Sequence, residues 1–134
     1  MHEPKPTRTS NMRVLCCGDR NWVDRDIIHQ RLKSLIPAGK WVTVDKPITV
    51  VHGCCRGADI LAAEEAFALG MDVEGHPAKW GLFGRAAGPK RNQEMLDMGI
   101  DLVIAFHSNL KASKGTADMV RRAHNAGVKV MLVI

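Results

Sequence analysis

Tyrosine is absent from this 134-residue chain, and aromatic residues make up only 4% of it. A platform for stacking successive bases of single-stranded nucleic acid has little material to draw on. Long apolar runs are missing too: the uninterrupted apolar stretches span a handful of residues, whereas a membrane span needs ~20. The opening MHEPKPTRTSNM contains no apolar stretch of the kind a secretory signal uses. The expectation is a cytoplasmic protein with no membrane association. The four cysteines stand as two adjacent pairs, Cys16-Cys17 and Cys54-Cys55, rather than in C-x-x-C spacing. Neighbours along a strand point to opposite faces, so neither pair readily chelates one metal ion, and reduced, packed cysteines are expected. The G-x-G-x-x-G dinucleotide fingerprint and the phosphate-binding loop ending in Gly-Lys-Ser/Thr are also lacking, which argues against an ordinary dehydrogenase or NTPase. Neither a metal nor a resident cofactor is expected.

What is present is the balance of a globular domain, 46% hydrophobic and 25% charged. The length suits one core and leaves no room for a second of full size. Residues 1–12 carry two prolines, mixed charge and no apolar periodicity, and read as a flexible tail ahead of a single domain over residues 13–134. Nineteen Lys and Arg against 14 Asp and Glu give a formal charge of +5, which favours an anionic partner without naming it.

Strand and helix signals alternate along the domain. Arg13–Cys17, Ile48–His52 and Asp101–Phe106 are short apolar runs that suit buried strands, Met71–His76 alternates and marks a less buried one, and Val128–Ile134 closes the chain. Between them fall a helix capped by Asp24, an Ala-rich helix from Gly57 or Ala58 to about Leu69, a helix opened by Pro89, and a helix from Gly115 to Ala126. Residues 38–47 suit a connecting loop with a brief edge strand at Trp41–Val44. This alternation predicts an α/β fold: one Rossmann-like domain with a five-stranded parallel sheet and helices on both faces.

In such a sheet ligands sit outside the carboxyl ends of the strands, so the loops that follow the strands matter most. They carry Gly18-Asp19-Arg20-Asn21-Trp22, then Gly53-Cys54-Cys55-Arg56-Gly57-Ala58-Asp59, then Gly88-Pro89-Lys90-Arg91-Asn92-Gln93, and finally Ser113-Lys114-Gly115-Thr116. Arg20, Arg56, Lys79, Arg85, Lys90, Arg91, Lys111 and Lys114 all fall on this edge, with Arg25 at its margin. Glycines permit sharp turns there, and each turn opens a helix whose free N–H groups favour oxyanions. Gly53 and Gly57 would allow a phosphate to approach closely, and Gly115-Thr116 would add a hydroxyl donor. Trp22 and Trp80 are the aromatics close enough to stack on a base, or else belong to the core or its rim. His52, ending a strand beneath this edge, reads as a satisfied buried imidazole. Arg121 and Arg122 read as surface charge.

The segments Cys17–Trp22, Val51-His-Gly-Cys-Cys-Arg-Gly-Ala-Asp59, Ala86-Ala-Gly-Pro-Lys-Arg-Asn-Gln-Glu-Met95 and Ser113-Lys-Gly-Thr-Ala-Asp-Met119 resemble the YspA-type branch of the SLOG superfamily. That superfamily groups the Lonely-Guy phosphoribohydrolases with the DNA-processing protein DprA. The resemblance spans residues 13–134 in order. It implies a Rossmann-like domain that binds a nucleotide or nucleotide-derived ligand, as a sensor or processor of a nucleotide signal, and that pairs into a homodimer. Lonely-Guy enzymes use a Pro-Gly-Gly-x-Gly-Thr-x-x-Glu loop. Gly115 and Thr116 match it, Lys111, Ala112 and Ser113 replace Pro-Gly-Gly, and Met119 occupies the position of the Glu that assists N-glycosidic cleavage.

The candidate ligand contacts are thus Gly18, Asp19, Arg20, Gly53, Arg56, Gly57, Asp59, Arg91, Asn92, Ser113, Gly115 and Thr116. Asp59 would bond a ribose hydroxyl or support a helix start; both remain open. A thioether is no general base, so hydrolysis of an N-glycosidic bond would need another acid near the ribose: Asp118, Asp59 or Asp19, with Asp118 and Arg91 the leading catalytic candidates. DprA-like binding of single-stranded DNA is the third alternative. The net charge permits it, and the aromatic poverty does not favour it.

Overall fold

The computed structural model describes residues 12–36 and 48–134. The expected tail, apart from Met12, and the edge strand expected at Trp41–Val44 lie outside the described residues. Five strands, β1 (Met12–Gly18), β2 (Ile48–His52), β3 (Asp72–Gly75), β4 (Leu102–Phe106) and β5 (Lys129–Val133), form one sheet in the order β3-β2-β1-β4-β5. Every pairing is parallel. The helices are α1 (Arg25–Lys33), α2 (Ala58–Ala68), the single turn α3 (Trp80–Phe83), α4 (Ala87–Asp97) and α5 (Gly115–Asn125). The α/β architecture inferred from the alternation is the one observed.

Period-two side-chain geometry explains how one strand serves two cores. Val14 and Cys16 of β1 face a cluster with Ile28 and Leu32 of α1 and Ala58, Ala62 and Ala66 of α2. Leu15 faces the other way, into a cluster with Met95 and Leu96 of α4 and Met119 and Ala123 of α5. β2 and β4 are buried at every position, as central strands covered on both faces must be, whereas β3 and β5 are edge strands and largely open. Ala58, Ala62 and Ala66 recur every four residues with no exposure, so α2 lies close on the sheet.

Local chemistry sets the helix ends. The Asp24 carboxylate accepts from the Ile27 N–H at 3.2 Å and caps α1. Arg25 then bridges to Glu64 and Glu65 of α2 at 2.9 and 2.8 Å, which removes it from the cationic edge where the sequence placed it. α4 begins at Ala87 rather than at Pro89, after a 3₁₀ turn over Gly84–Ala86. Proline is accommodated at the third helical position because N–H groups in the first turn have no intrahelical acceptor anyway. Strand order reverses between β1 and β4: β2 and β3 extend the sheet one way, β4 and β5 the other. That reversal opens a crevice at the carboxyl ends of the strands.

Candidate functional site

A cleft of about 850 Å³ occupies this crevice. Its walls are the loop after β1, the loop after β2, the α3–α4 segment and the start of α5, and Cys17, Met95, His107 and Met119 also border it. Of the residues singled out from sequence, Gly18, Asp19, Arg20, Gly53, Arg56, Asp59, Arg91, Asn92, Ser113, Gly115, Thr116 and Asp118 all line it. Gly57 does not. Its φ of 78° is left-handed, and an added Cβ would collide with the Asp19 and Arg20 carbonyl oxygens. This glycine packs one loop against the next, and the neighbouring Ala58 N–H donates to the Asp19 carbonyl at 3.1 Å. The close approach that it permits is by main chain, not by a phosphate.

The space above Gly53 is likewise filled by protein. The Arg91 guanidinium lies 2.6 Å from where a Gly53 Cβ would stand. Arg91 Nη1 donates to the carbonyls of Gly53 at 2.6 Å and His76 at 3.1 Å, and its Nε donates to Asn92 Oδ1 at 3.1 Å. Asn92 passes the chain on, donating to Asp118 Oδ2 at 3.0 Å. Asp118 also accepts from Arg121 at 2.7 Å and Arg122 at 2.9 Å, so both its oxygens are occupied. Arg121 and Arg122 are therefore partners of a cleft residue and not plain surface charge.

Asp59 sits on the cleft's inner wall, 5% exposed, and accepts from the Gly53 N–H at 2.8 Å. Burial raises its pKa to about 6, against the opposing pull of the Gly53 and Cys55 amides and of Arg91 and Arg20. The Gly53 contact fastens the loop after β2, a role distinct from the ribose bond and the helix-start support considered from sequence. At the start of α5 the Ser113 hydroxyl accepts from the Thr116 N–H at 2.9 Å. That amide is spoken for, while the Gly115 N–H has no main-chain acceptor among the described residues.

The cations divide into those facing the cleft and those used elsewhere. Arg20, Arg56, Arg85 and Lys114 line it, and none makes an ion pair among the described residues; Arg56 has one long contact, to Asn21 at 3.4 Å. Lys79 and Lys111 do not border it, and the Lys90 ammonium sits 4.8 Å from the Phe83 ring centre. Trp22 belongs to the core, tilted against Phe106 with centroids 5.8 Å apart. Trp80 lines the cleft and is 51% exposed.

Two histidines end strands here. His52 Nδ1 accepts from the Cys54 N–H, and burial, helped by His76 and Arg91, lowers its pKa, so it is a neutral imidazole. His107 Nδ1 accepts from the Asn109 N–H at 3.0 Å in the same way. His107 and Cys17 line the cleft and escaped the sequence reading. The available signal was positional, since both stand at the carboxyl ends of the two strands that flank the reversal. Among the described residues, no three His, Cys, Asp or Glu side chains are grouped to hold a metal ion, and no helix is long and apolar enough to cross a membrane.

The arrangement is one of spare positive charge above a floor of committed hydrogen bonds. Comparison with known proteins agrees with the resemblance seen in the loops. The model of the YspA, cpYpsA-related SLOG family matches residues 12–83, which hold β1 to β3 and the loops after β1 and β2. The Gene 61 protein of Mycobacterium phage D29 is 37% identical over 126 residues, covering 89% of this chain and 94% of its own length. The family match spans more than half of the chain, so this chain belongs to the YspA, cpYpsA-related SLOG family.

Proposed function

We propose that the cleft binds a nucleotide or nucleotide-derived ligand by its phosphate. The observation that carries this reading is the set of four cleft-lining cations, Arg20, Arg56, Arg85 and Lys114, with no carboxylate partner among the described residues. Unpaired cations converging on a crevice at a strand-order reversal suit an anion. The start of α5 adds the free Gly115 N–H and the positive end of an eleven-residue helix. Trp80 offers a planar face for a base. Family membership is consistent with a nucleotide-related role.

Binding is favoured over cleavage of an N-glycosidic bond. Met119 is 1% exposed and packed with the core, and Asp118 is held by two arginines and an asparagine. Neither is free to serve as a base. The test is thermal denaturation against the 5′-monophosphates of adenosine, guanosine, cytidine and uridine. Ligand at 100 times its Kd stabilises by about 2.7 kcal/mol, a shift of several degrees. Arg20→Ala with Arg85→Ala should remove that shift while the unliganded protein melts normally. Absence of a shift with every nucleotide would reject the reading.

A further inference from the structure

Beside the main cleft lies a smaller one of about 310 Å³. Arg20, Arg56, Trp80 and Arg91 border both. Cys54, Pro77 and Ala78 border only the smaller, and Arg85 and Lys114 only the larger. Resting on the nucleotide reading above, we propose that the side cleft is a second anion subsite for the same ligand. The ligand class is then a nucleotide bearing two separate phosphate groups rather than a simple monophosphate.

The charge of the side cleft carries this assignment. Three arginines line it and no carboxylate does, whereas the main cleft mixes its cations with Asp19, Asp59 and Asp118. Arg91 spends Nε and Nη1 on Asn92, Gly53 and His76, but its Nη2 has no acceptor among the described residues. A guanidinium held rigidly by two of its nitrogens and open at the third is a pre-positioned phosphate donor. Trp80 stands where the clefts meet. Its ring crosses Gly88, 3.1 Å from where a Cβ would stand, so the first turn of α4 accepts the flat indole only because no side chain intervenes. A base laid on that indole would have one cationic lobe on either side of it. Arg85 and Lys114 serve only the first phosphate, Arg91 offers its open Nη2 to the second, and Arg20 and Arg56, which border both clefts, lie between the two.

The second phosphate can sit on the same ribose or on a second nucleotide. Calorimetric titration distinguishes them, using the four 5′-monophosphates, the corresponding 3′,5′-bisphosphates, and 5′-phosphorylated dinucleotides of the same bases. At least one doubly phosphorylated series should bind about tenfold or more tighter than its monophosphate, and the series that gains identifies the source. Ala78→Leu narrows the side cleft from a wall that the main cleft does not share. It should abolish that gain and leave monophosphate affinity within about twofold. Pro77→Trp, at an exposed position of the same wall, is the second occluding variant should the first fail to fold. If monophosphates bind and the second phosphate adds nothing, or if the gain survives both variants, the subsite is refuted and the nucleotide reading stands. If no probe binds, both fall.

Discussion

Arg91 reaches across the cleft floor to Gly53, its Nη1 donating to the Gly53 carbonyl at 2.6 Å. Because the same nitrogen also reaches the His76 carbonyl, one side chain of α4 fastens the loops after β2 and β3. A residue that the sequence marks as a phosphate ligand is thus first a structural clamp. Arg91→Ala leaves these carbonyls without their charged donor, and each such hydrogen bond contributes about 1.5–3 kcal/mol. We expect a loss of roughly 2–4 kcal/mol in urea denaturation. Lysine should restore only part of it, since a point charge cannot replace the planar fork. A melting curve unchanged in Arg91→Ala would show that the clamp contributes nothing.

The signature glycines separate by the same logic. Gly57 is left-handed and its Cβ would strike the Asp19–Arg20 backbone, so Gly57→Ala should destabilise by several kcal/mol or prevent folding. Gly115 opens α5 with nothing within 4 Å of its Cβ position. Gly115→Ala should leave stability unchanged or raise it by up to ~1 kcal/mol, since alanine is the better helix residue. If Gly115 is there for the close approach of a ligand, the alanine variant will melt normally yet respond less to nucleotide. Equal melting temperatures for the two variants would contradict the steric difference between these positions.

Met119 is the departure from the Lonely-Guy loop, and its surroundings explain why glutamate cannot simply be restored there. Its side chain packs with Leu15, Val51 and Met95. Met119→Glu would bury a carboxyl among apolar groups at a cost of about 2–5 kcal/mol, and it should create no N-glycosidic cleavage. Release of free base from a nucleoside monophosphate by this variant would show that one side chain separates binding from hydrolysis in this cleft.

The central strands were legible because β1, β2 and β4 are buried on both faces and read as apolar runs. α3 was not, because four residues in a glycine-rich stretch leave no periodicity to detect. The loops that build the cleft could be found from their place after each strand. What Gly57 and Arg91 touch could not, because that depends on which distant loop arrives beside them. The pairing of Asp118 with Arg121 and Arg122 was available in principle, since acids three and four residues ahead of a cation share a helix face. A reading that gives the arginines to solvent and the acid to chemistry separates them.

Asp59 makes the last prediction, which concerns pH. Its pKa is raised from 3.8 to about 6, chiefly by burial, so the folded protein binds this proton more tightly than the unfolded chain does. The resulting stability is complete below about pH 4 and is lost as pH rises through 6. Glu74 has the opposite sign: hydrogen bonding to Arg13 holds it near 2, so its contribution is present above about pH 4.5 and lost only as pH falls toward 2. Between pH 5 and 7.5 the two do not overlap. Asp59→Asn cannot satisfy both loop amides and should carry a constant penalty. Against that offset it should gain on the wild type by on the order of 1–1.5 kcal/mol as pH rises through this window, because it has no charge to bury. Urea midpoints measured for both proteins at half-unit intervals would show the curves converging or crossing. Parallel curves would mean that Asp59 is no harder to ionise in the fold than in the open chain.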